Sequence, residues 1–160
     1  MTIRRFTNED APAAAAVIAK TLRTTNSKDY SPDEIEAAVR SLSPDKLIER
    51  AGWMHFYVVC DAEEIIGCGG IGPYWGKEDE SSLFTIFVHP DYQGKGIGRM
   101  IIGTLEQDEF FLRAKRIEIP SSITAVAFYQ KMGYDYKNGK AEPDEDRYYP
   151  LEKFREPKEC

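Results

Sequence analysis

Two histidines and three cysteines in 160 residues leave little material for a metal centre or a disulfide framework. Neither His55 nor His89 stands beside a plausible set of ligands, so no metal site is expected. Cys60, Cys68 and Cys160 are odd in number and form no CxxC pair, and two of them fall in predicted strands. That pattern reads as buried reduced thiols in a cytoplasmic chain rather than as a redox site. No run approaches the roughly 18 apolar residues of a membrane span, and MTIRRFTNED lacks the apolar centre of a secretory signal. A basic excess is missing as well: 21 Lys and Arg stand against 27 Asp and Glu, a formal charge of −6. Such a chain repels nucleic acid and anionic membrane, and suits a cationic small molecule or a peptide amine as partner. The length predicts one domain over residues 1–160.

What the sequence does have is concentrated between Ser82 and Thr104. Leu83 to Val88 is an apolar, β-branched run of strand length, closed by Pro90, which has no N–H for a ladder. Gln93-Gly94-Lys95-Gly96-Ile97-Gly98-Arg99 follows, and then apolar residues at helical spacing, Ile97, Met100, Ile101, Leu105 and Leu112. The first N–H groups of a helix have no intrahelical partner and carry partial positive charge. Glycines let backbone donors be approached without a Cβ in the way, and Lys95 and Arg99 add formal charge, so the turn is a candidate phosphate cradle. The alternative is a glycine-rich connection that only lets the helix pack close to its strand. Two other phosphate loops are excluded: a dinucleotide fingerprint needs glycine where Ile101 stands, and a Walker loop needs Ser or Thr where Gly96 follows Lys95.

VHPDYQGKGIGRMII resembles the acyl-CoA-binding signature of the GNAT superfamily of N-acetyltransferases, with Gln93, Gly96 and Gly98 at its core positions. A second block, AVAFYQKMGYDY from Ala125 to Tyr136, is similar to a later segment of the same superfamily. The resemblance implies an α/β fold with a mixed, mostly antiparallel central sheet flanked by helices, in which two neighbouring strands splay apart. It implies acetyl-CoA as co-substrate, with its arm along the main chain of Ile86, Phe87 and Val88 and its pyrophosphate on the N–H groups of Gly94, Lys95, Gly96, Ile97, Gly98 and Arg99. The Val88 N–H is the candidate donor to the thioester oxygen. Tyr129 occupies the general-acid position, since a phenol near pKa 10 stays protonated at neutral pH and can donate to a thiolate. The other reading of Tyr129 is membership of an apolar helical stripe with Ala125, Phe128 and Met132. Glu80 is the first choice for general base, with Glu78, Asp79 and Glu118 as rivals, each of which also reads as a solvated charge. Ser122 stands where many members carry Asn, and a serine can still hydrogen-bond the arm.

The rest of the chain supplies the scaffold. Thr2 to Phe6 reads as an edge strand, and Thr7 with Asp10 as the cap of a helix through Leu22. Asn26 to Tyr30 reads as loop. Ser31-Pro32-Asp33-Glu34 is a helix start of capping-box type, with Ile35, Val39 and Leu42 on one face, and Ser43-Pro44 starts another helix through Ile48. Trp53 to Cys60 and Ile65 to Trp75 pair as a hairpin across Asp61 to Glu64, the second strand heavy in glycine, and a polar connection from Tyr74 to Glu80 leads to the central strand. Arg116 to Pro120 is a further strand. Ser121 or Ser122 caps a last helix over Thr124 to Met132, which Gly133 ends. Tyr134 to Lys137 and Arg147 to Phe154 close the sheet across an acidic loop, and REPKEC is expected to fray. Tyr30, Tyr74 and Trp75 are candidates for the lining of the acceptor pocket. A CoA-sensing module without chemistry is the rival function, and a homodimer is neither required nor excluded.

Overall fold

The computed structural model describes residues 1–75 and 77–155. Cys160 and the predicted fraying from residue 156 onward lie outside the described residues, as does Gly76 of the polar connection. Seven strands form one sheet in the order β1-β2-β3-β4-β5-β7-β6. They are β1 (Thr2–Arg5), β2 (His55–Asp61), β3 (Glu64–Pro73), β4 (Glu80–Val88), β5 (Arg116–Ser121), β6 (Asp135–Tyr136) and β7 (Tyr149–Phe154). Every neighbouring pair is antiparallel except β4 and β5, which run parallel. This is the mixed, mostly antiparallel sheet that the sequence predicts.

Three helices cover one face: α1 (Ala11–Thr24), α2 (Pro32–Ser41) and α3 (Pro44–Ala51). Ala14, Val17, Ile18, Leu22, Ile35 and Leu47 from these helices bury against Phe56, Val58 and Cys68 of the sheet. Each large apolar side chain so buried contributes roughly 1.5–3 kcal/mol. The opposite face carries α4 (Ile97–Leu105), whose Ile97, Ile101, Ile102 and Leu105 pack on Val59, Ile66, Leu83 and Ile117. The glycines of β3 set the spacing there. A Cβ on Gly69 would lie 2.5 Å from the Ile101 Cγ2, so α4 sits close because that side chain is missing, and one on Gly67 would lie 3.1 Å from the Phe87 carbonyl of the neighbouring strand.

The predicted α2 start holds in detail. The Glu34 N–H donates to Ser31 Oγ at 3.2 Å and the Ser31 N–H to Glu34 Oε1 at 2.9 Å. Ser43 has the extended backbone of a cap but makes no side-chain bond. Two predicted helices are corrected. The single helix through Leu112 breaks into α4 and α5 (Glu109–Leu112), because Asp108 turns inward and takes hydrogen bonds from the Tyr57 hydroxyl at 2.6 Å and the Phe110 N–H at 2.9 Å. Leu112 consequently stands exposed. The last helix is shorter than expected, a 3-10 turn over Ile123–Ala125 followed by α6 (Val126–Lys131). The predicted loop Asn26 to Tyr30 contains a 3-10 turn at Asn26–Lys28.

At the edge of the sheet, Asp10 is gripped from two sides. Arg4 holds it through both guanidinium nitrogens at 2.8 and 2.9 Å, and the Thr7 N–H donates to it at 2.8 Å. The Arg4 hydrogen bonds, aided by Thr7, pull its carboxyl down to about 2 from the ordinary 3.8. A folded-state pKa below the unfolded one stabilises above the unfolded value, and the contribution is lost as pH falls from about 4 to about 2. Asp10→Asn should therefore cost about 1–3 kcal/mol at pH 7, and the gap from the parent protein should close in urea titrations run near pH 2.

Candidate active site

β4 and β5 pair over only three positions, Glu80↔Arg116, Ser81↔Ile117 and Ser82↔Glu118. The Ser82 hydroxyl adds a bond to the Glu118 carbonyl at 3.0 Å. Beyond it β5 stays with β7 through Ser121 while β4 continues with β3 to Val88, so the two parallel strands part. Among the described residues, the edge of β4 from Leu83 onward has no strand partner on that side. Within this stretch the ladder to β3 jumps from Cys68↔Phe87 to Gly70↔Phe84, leaving Thr85 and Ile86 opposite Gly69. Thr85 takes a φ of +57° there. The inserted residue explains the side-chain pattern. Leu83, Ile86 and Val88 pack on the α4 face and Phe84 and Phe87 on the α1 face, where strict alternation would have separated 83 and 86.

After Val88 the chain makes a 3-10 turn at Pro90–Tyr92 and then bends through Gly94 and Gly96, whose φ values are +77° and +82°. An added Cβ would meet nothing at either position. Among the described residues, none of the N–H groups from Gly94 to Arg99 donates to a protein acceptor, and the first such bond into the helix is Met100 N–H to the Gly96 carbonyl at 3.0 Å. Six successive donors thus sit unpaired where the bend opens α4, with Gly94, Lys95, Gly96 and Arg99 exposed, Gly98 half-buried and Ile97 buried. Gly98 has a different reason to be glycine: a Cβ there would lie 3.0 Å from the Phe128 ring of α6. Close packing, the alternative reading of the turn, holds for that residue. Gln93 is exposed and reaches across the turn, its side-chain amide donating to Thr25 Oγ1 at 3.0 Å and to the Val88 carbonyl at 3.3 Å. Thr21 Oγ1 shares its proton between the Val17 carbonyl at 2.8 Å and the same Val88 carbonyl at 3.1 Å, so α1 touches the end of β4. Lys95 lies over the Tyr92 ring and Arg99 is exposed.

α6 places Tyr129 in the core on the α4 face, 6 % exposed, in the stripe with Ala125, Phe128 and Met132. Its hydroxyl makes no hydrogen bond to any other described residue. Burial, with a smaller contribution from Cys68, pushes the phenol well above its ordinary pKa, so it stays protonated. The Cys68 thiol in turn donates to the Thr85 carbonyl at 3.3 Å. Ser122 stands at the foot of this segment, its carbonyl accepting from the Ala125 N–H at 3.1 Å and from Ser121 Oγ at 2.8 Å. Its own hydroxyl makes no capping bond. Tyr30 ties the next residue in place: its oxygen accepts the Ile123 N–H at 2.8 Å and donates to the Arg147 carbonyl at 2.9 Å.

Glu80 lies apart from this group, at the paired end of β4. Its carboxylate meets Lys77 Nζ at 2.9 Å and Arg116 Nη1 at 2.9 Å, and these bonds, that of Lys77 first, hold its pKa below the ordinary value. Of the rival bases, Glu118 is also taken, by Arg116 and by Lys137 at 2.9 Å. Tyr74 stacks on Arg116 and Lys137 and Trp75 is exposed, whereas Tyr30 is buried in the clasp just described. The sequence reading gave Thr85 no role, took Cys68 as a buried reduced thiol, which it is, and put Tyr30 in the acceptor pocket, whereas its hydroxyl is spent on Ile123 and Arg147. For Thr85 a signal existed, a lone hydroxyl in an apolar run that does not alternate.

The model of the acetyltransferase (GNAT) family matches residues 19–134. The chain belongs to the GNAT family of acetyltransferases. Among curated relatives, the peptidyl-lysine N-acetyltransferase YjaB of Salmonella typhimurium is 26 % identical over 153 residues, 94 % of each chain. The glucosamine 6-phosphate N-acetyltransferase of Schizosaccharomyces pombe is 34 % identical over 58 residues, 36 % of this chain, and the match spans about half, 52 %, of that protein's length. Among solved structures, the PaiA N-acetyltransferase of Thermoplasma acidophilum in complex with coenzyme A superimposes with a TM-score of 0.80 at 19 % identity, over 96 % of this chain and 98 % of that one. That likeness is one of fold, and the GNAT fold of this chain includes the parted β4–β5 pair.

Proposed function

We propose that the protein transfers an acetyl group from acetyl-CoA to a primary amine of a small molecule or peptide, residues 1–160 acting as one domain in the cytoplasm. The run of unpaired N–H groups from Gly94 to Arg99, beside a β4 edge that has lost its partner, carries this reading. Acetyl-CoA fits these residues: six amide donors at a helix N-terminus suit a diphosphate, and a free strand edge suits an arm rich in amides. Bound there, it supplies a thioester whose acyl carbon accepts the amine and whose sulfur leaves as a thiolate.

The residues divide the work. Gly94, Lys95, Gly96, Ile97, Gly98 and Arg99 bind the diphosphate, with Gln93 keeping the bend in shape, while the main chain of Ile86, Phe87 and Val88 and the Ser122 hydroxyl take the arm. The Val88 N–H polarises the thioester oxygen. Tyr129 is the general acid, holding at its hydroxyl the proton that the thiolate needs. Glu80 is proposed as the carboxylate that receives the ammonium proton through water. Its pairing with Arg116 and Lys77 makes it a charge that attracts the cation more than a strong base.

Release of free thiol from acetyl-CoA, measured with a dye over a panel of amines, tests the reading. The names of the two relatives suggest two of the acceptors, a lysine peptide and glucosamine 6-phosphate. Acetylation of at least one amine, seen as a mass increase of one acetyl group, is the expected result. Protein that binds acetyl-CoA but releases no thiol with any amine would instead be a CoA sensor.

A further inference from the structure

Among the described residues, Thr85 Oγ1 is the one buried side-chain nitrogen or oxygen without a hydrogen-bond partner. An unsatisfied buried hydroxyl costs about 1–3 kcal/mol. The same residue is β-branched and held at φ +57°, a left-handed conformation such side chains avoid. Two unfavourable features at one position persist only where surrounding structure enforces them, and they mark positions that serve a ligand or a reaction. The position is the bulge of β4, inside the stretch that has parted from β5, and its carbonyl is bonded to the Cys68 thiol. Nothing in the core requires a hydroxyl there, since β4 is apolar on both sides of it.

We infer that the Thr85 hydroxyl is a ligand-binding group, which donates its hydrogen bond to a carbonyl oxygen of the acyl-CoA arm, either an amide of the pantetheine portion or the thioester. The inference rests on the reading of the strand gap as an acyl-CoA site and adds to it a side chain. The bulge then has two consequences from one inserted residue: it shifts the β3–β4 register within the stretch that has parted from β5, and it leaves there a buried hydroxyl without a protein acceptor. In the free protein this hydroxyl is a cost, and it finds its partner only in the complex.

Thr85→Val tests this, because valine keeps the β-branch, and hence the strain, and removes only the hydroxyl. Calorimetric titration of the whole chain with acetyl-CoA and with CoA should show affinity for acetyl-CoA falling by roughly tenfold. Without ligand, the Tm of the variant should rise by about 2–6 °C. Equal weakening toward CoA identifies an arm amide as the partner, and weakening toward acetyl-CoA alone identifies the thioester oxygen. Wild-type affinity for both, or a lowered Tm in the free protein, overturns the inference. Should the valine variant not fold, Thr85→Ser and Thr85→Ala differ from each other by the hydroxyl alone: serine should bind as the parent does and alanine more weakly, and equal binding by the two refutes the role. Failure of the parent protein itself to bind acetyl-CoA would remove the acyl-CoA reading together with this one. Binding by parent and variants alike removes this one only.

Discussion

Tyr129→Phe is expected to lower kcat for thiol release by roughly 10²–10³-fold, the scale of a lost general acid, with the affinity for acetyl-CoA little changed. Two structural facts make the substitution informative. The ring is 6 % exposed and packed with Phe128, so phenylalanine fills the same space. The hydroxyl bonds to no other described residue, so its removal breaks nothing inside the protein, and stability should hold or improve. Burial has pushed the phenol pKa well upward. Its proton is therefore present across the neutral and moderately alkaline range, and the pH profile of the parent enzyme should show no alkaline limb below pH 10 that Tyr129→Phe abolishes. Turnover that survives the substitution within a factor of a few would return Tyr129 to the apolar stripe in which the helical spacing also places it.

Features set by neighbours along the chain were legible in advance, and those set across the sheet were not. The Ser31–Glu34 box and the Gly94–Gly96 bend depend on a handful of consecutive residues, so spacing was enough to find them. The break before α5 depends on Asp108 meeting Tyr57 and His55 from β2, about fifty residues away in sequence. Helical spacing carried Leu112 past that break because it contains no information about such a partner. The bulge at Thr85 is a property of the β3–β4 register: six apolar or β-branched residues in a row state that a strand is buried on both faces, and leave open where an extra residue enters. Gly98 shows the same limit. In sequence it is the third glycine of a phosphate turn, and only the packing of α6 on α4 reveals the Phe128 ring that needs the space. Glu80 was singled out for its place at the head of a strand; one of its partners, Lys77, is three residues back, whereas the other, Arg116, comes from thirty-six residues on.

That arginine carries the largest expected effect on stability. Arg116 joins three strands at the paired end of the gap: Nη1 meets Glu80 of β4 at 2.9 Å, Nε meets Glu152 of β7 at 2.8 Å, and Nη2 meets Glu118 of β5. The Tyr74 ring covers the guanidinium with its centroid 5.2 Å away. The arginine side chain is 11 % exposed and those of the three carboxylates 11–18 %, so water replaces little of what the guanidinium provides. Among the described residues, removing it leaves Glu80 to Lys77 and Glu118 to Lys137, and Glu152 with only the Asn138 N–H. Arg116→Ala should therefore cost about 3–5 kcal/mol, the scale of a broken buried ion pair, read as a fall in the urea midpoint. Arg116→Lys should recover only part of it, because one ammonium cannot present separate donors to three carboxylates as the fork of a guanidinium does. The position of the loss matters as much as its size. The pairs Glu80↔Arg116 to Ser82↔Glu118 are the only ladder between β4 and β5, so Arg116 holds the strands together at one end and allows a defined opening at the other. Loosening that end should widen the gap along its length and weaken acetyl-CoA binding in any Arg116 variant that still folds. If Arg116→Ala matched the parent in urea midpoint and in acetyl-CoA affinity, the three carboxylates would have to be satisfied without it, and the closed end of the gap would need another cause.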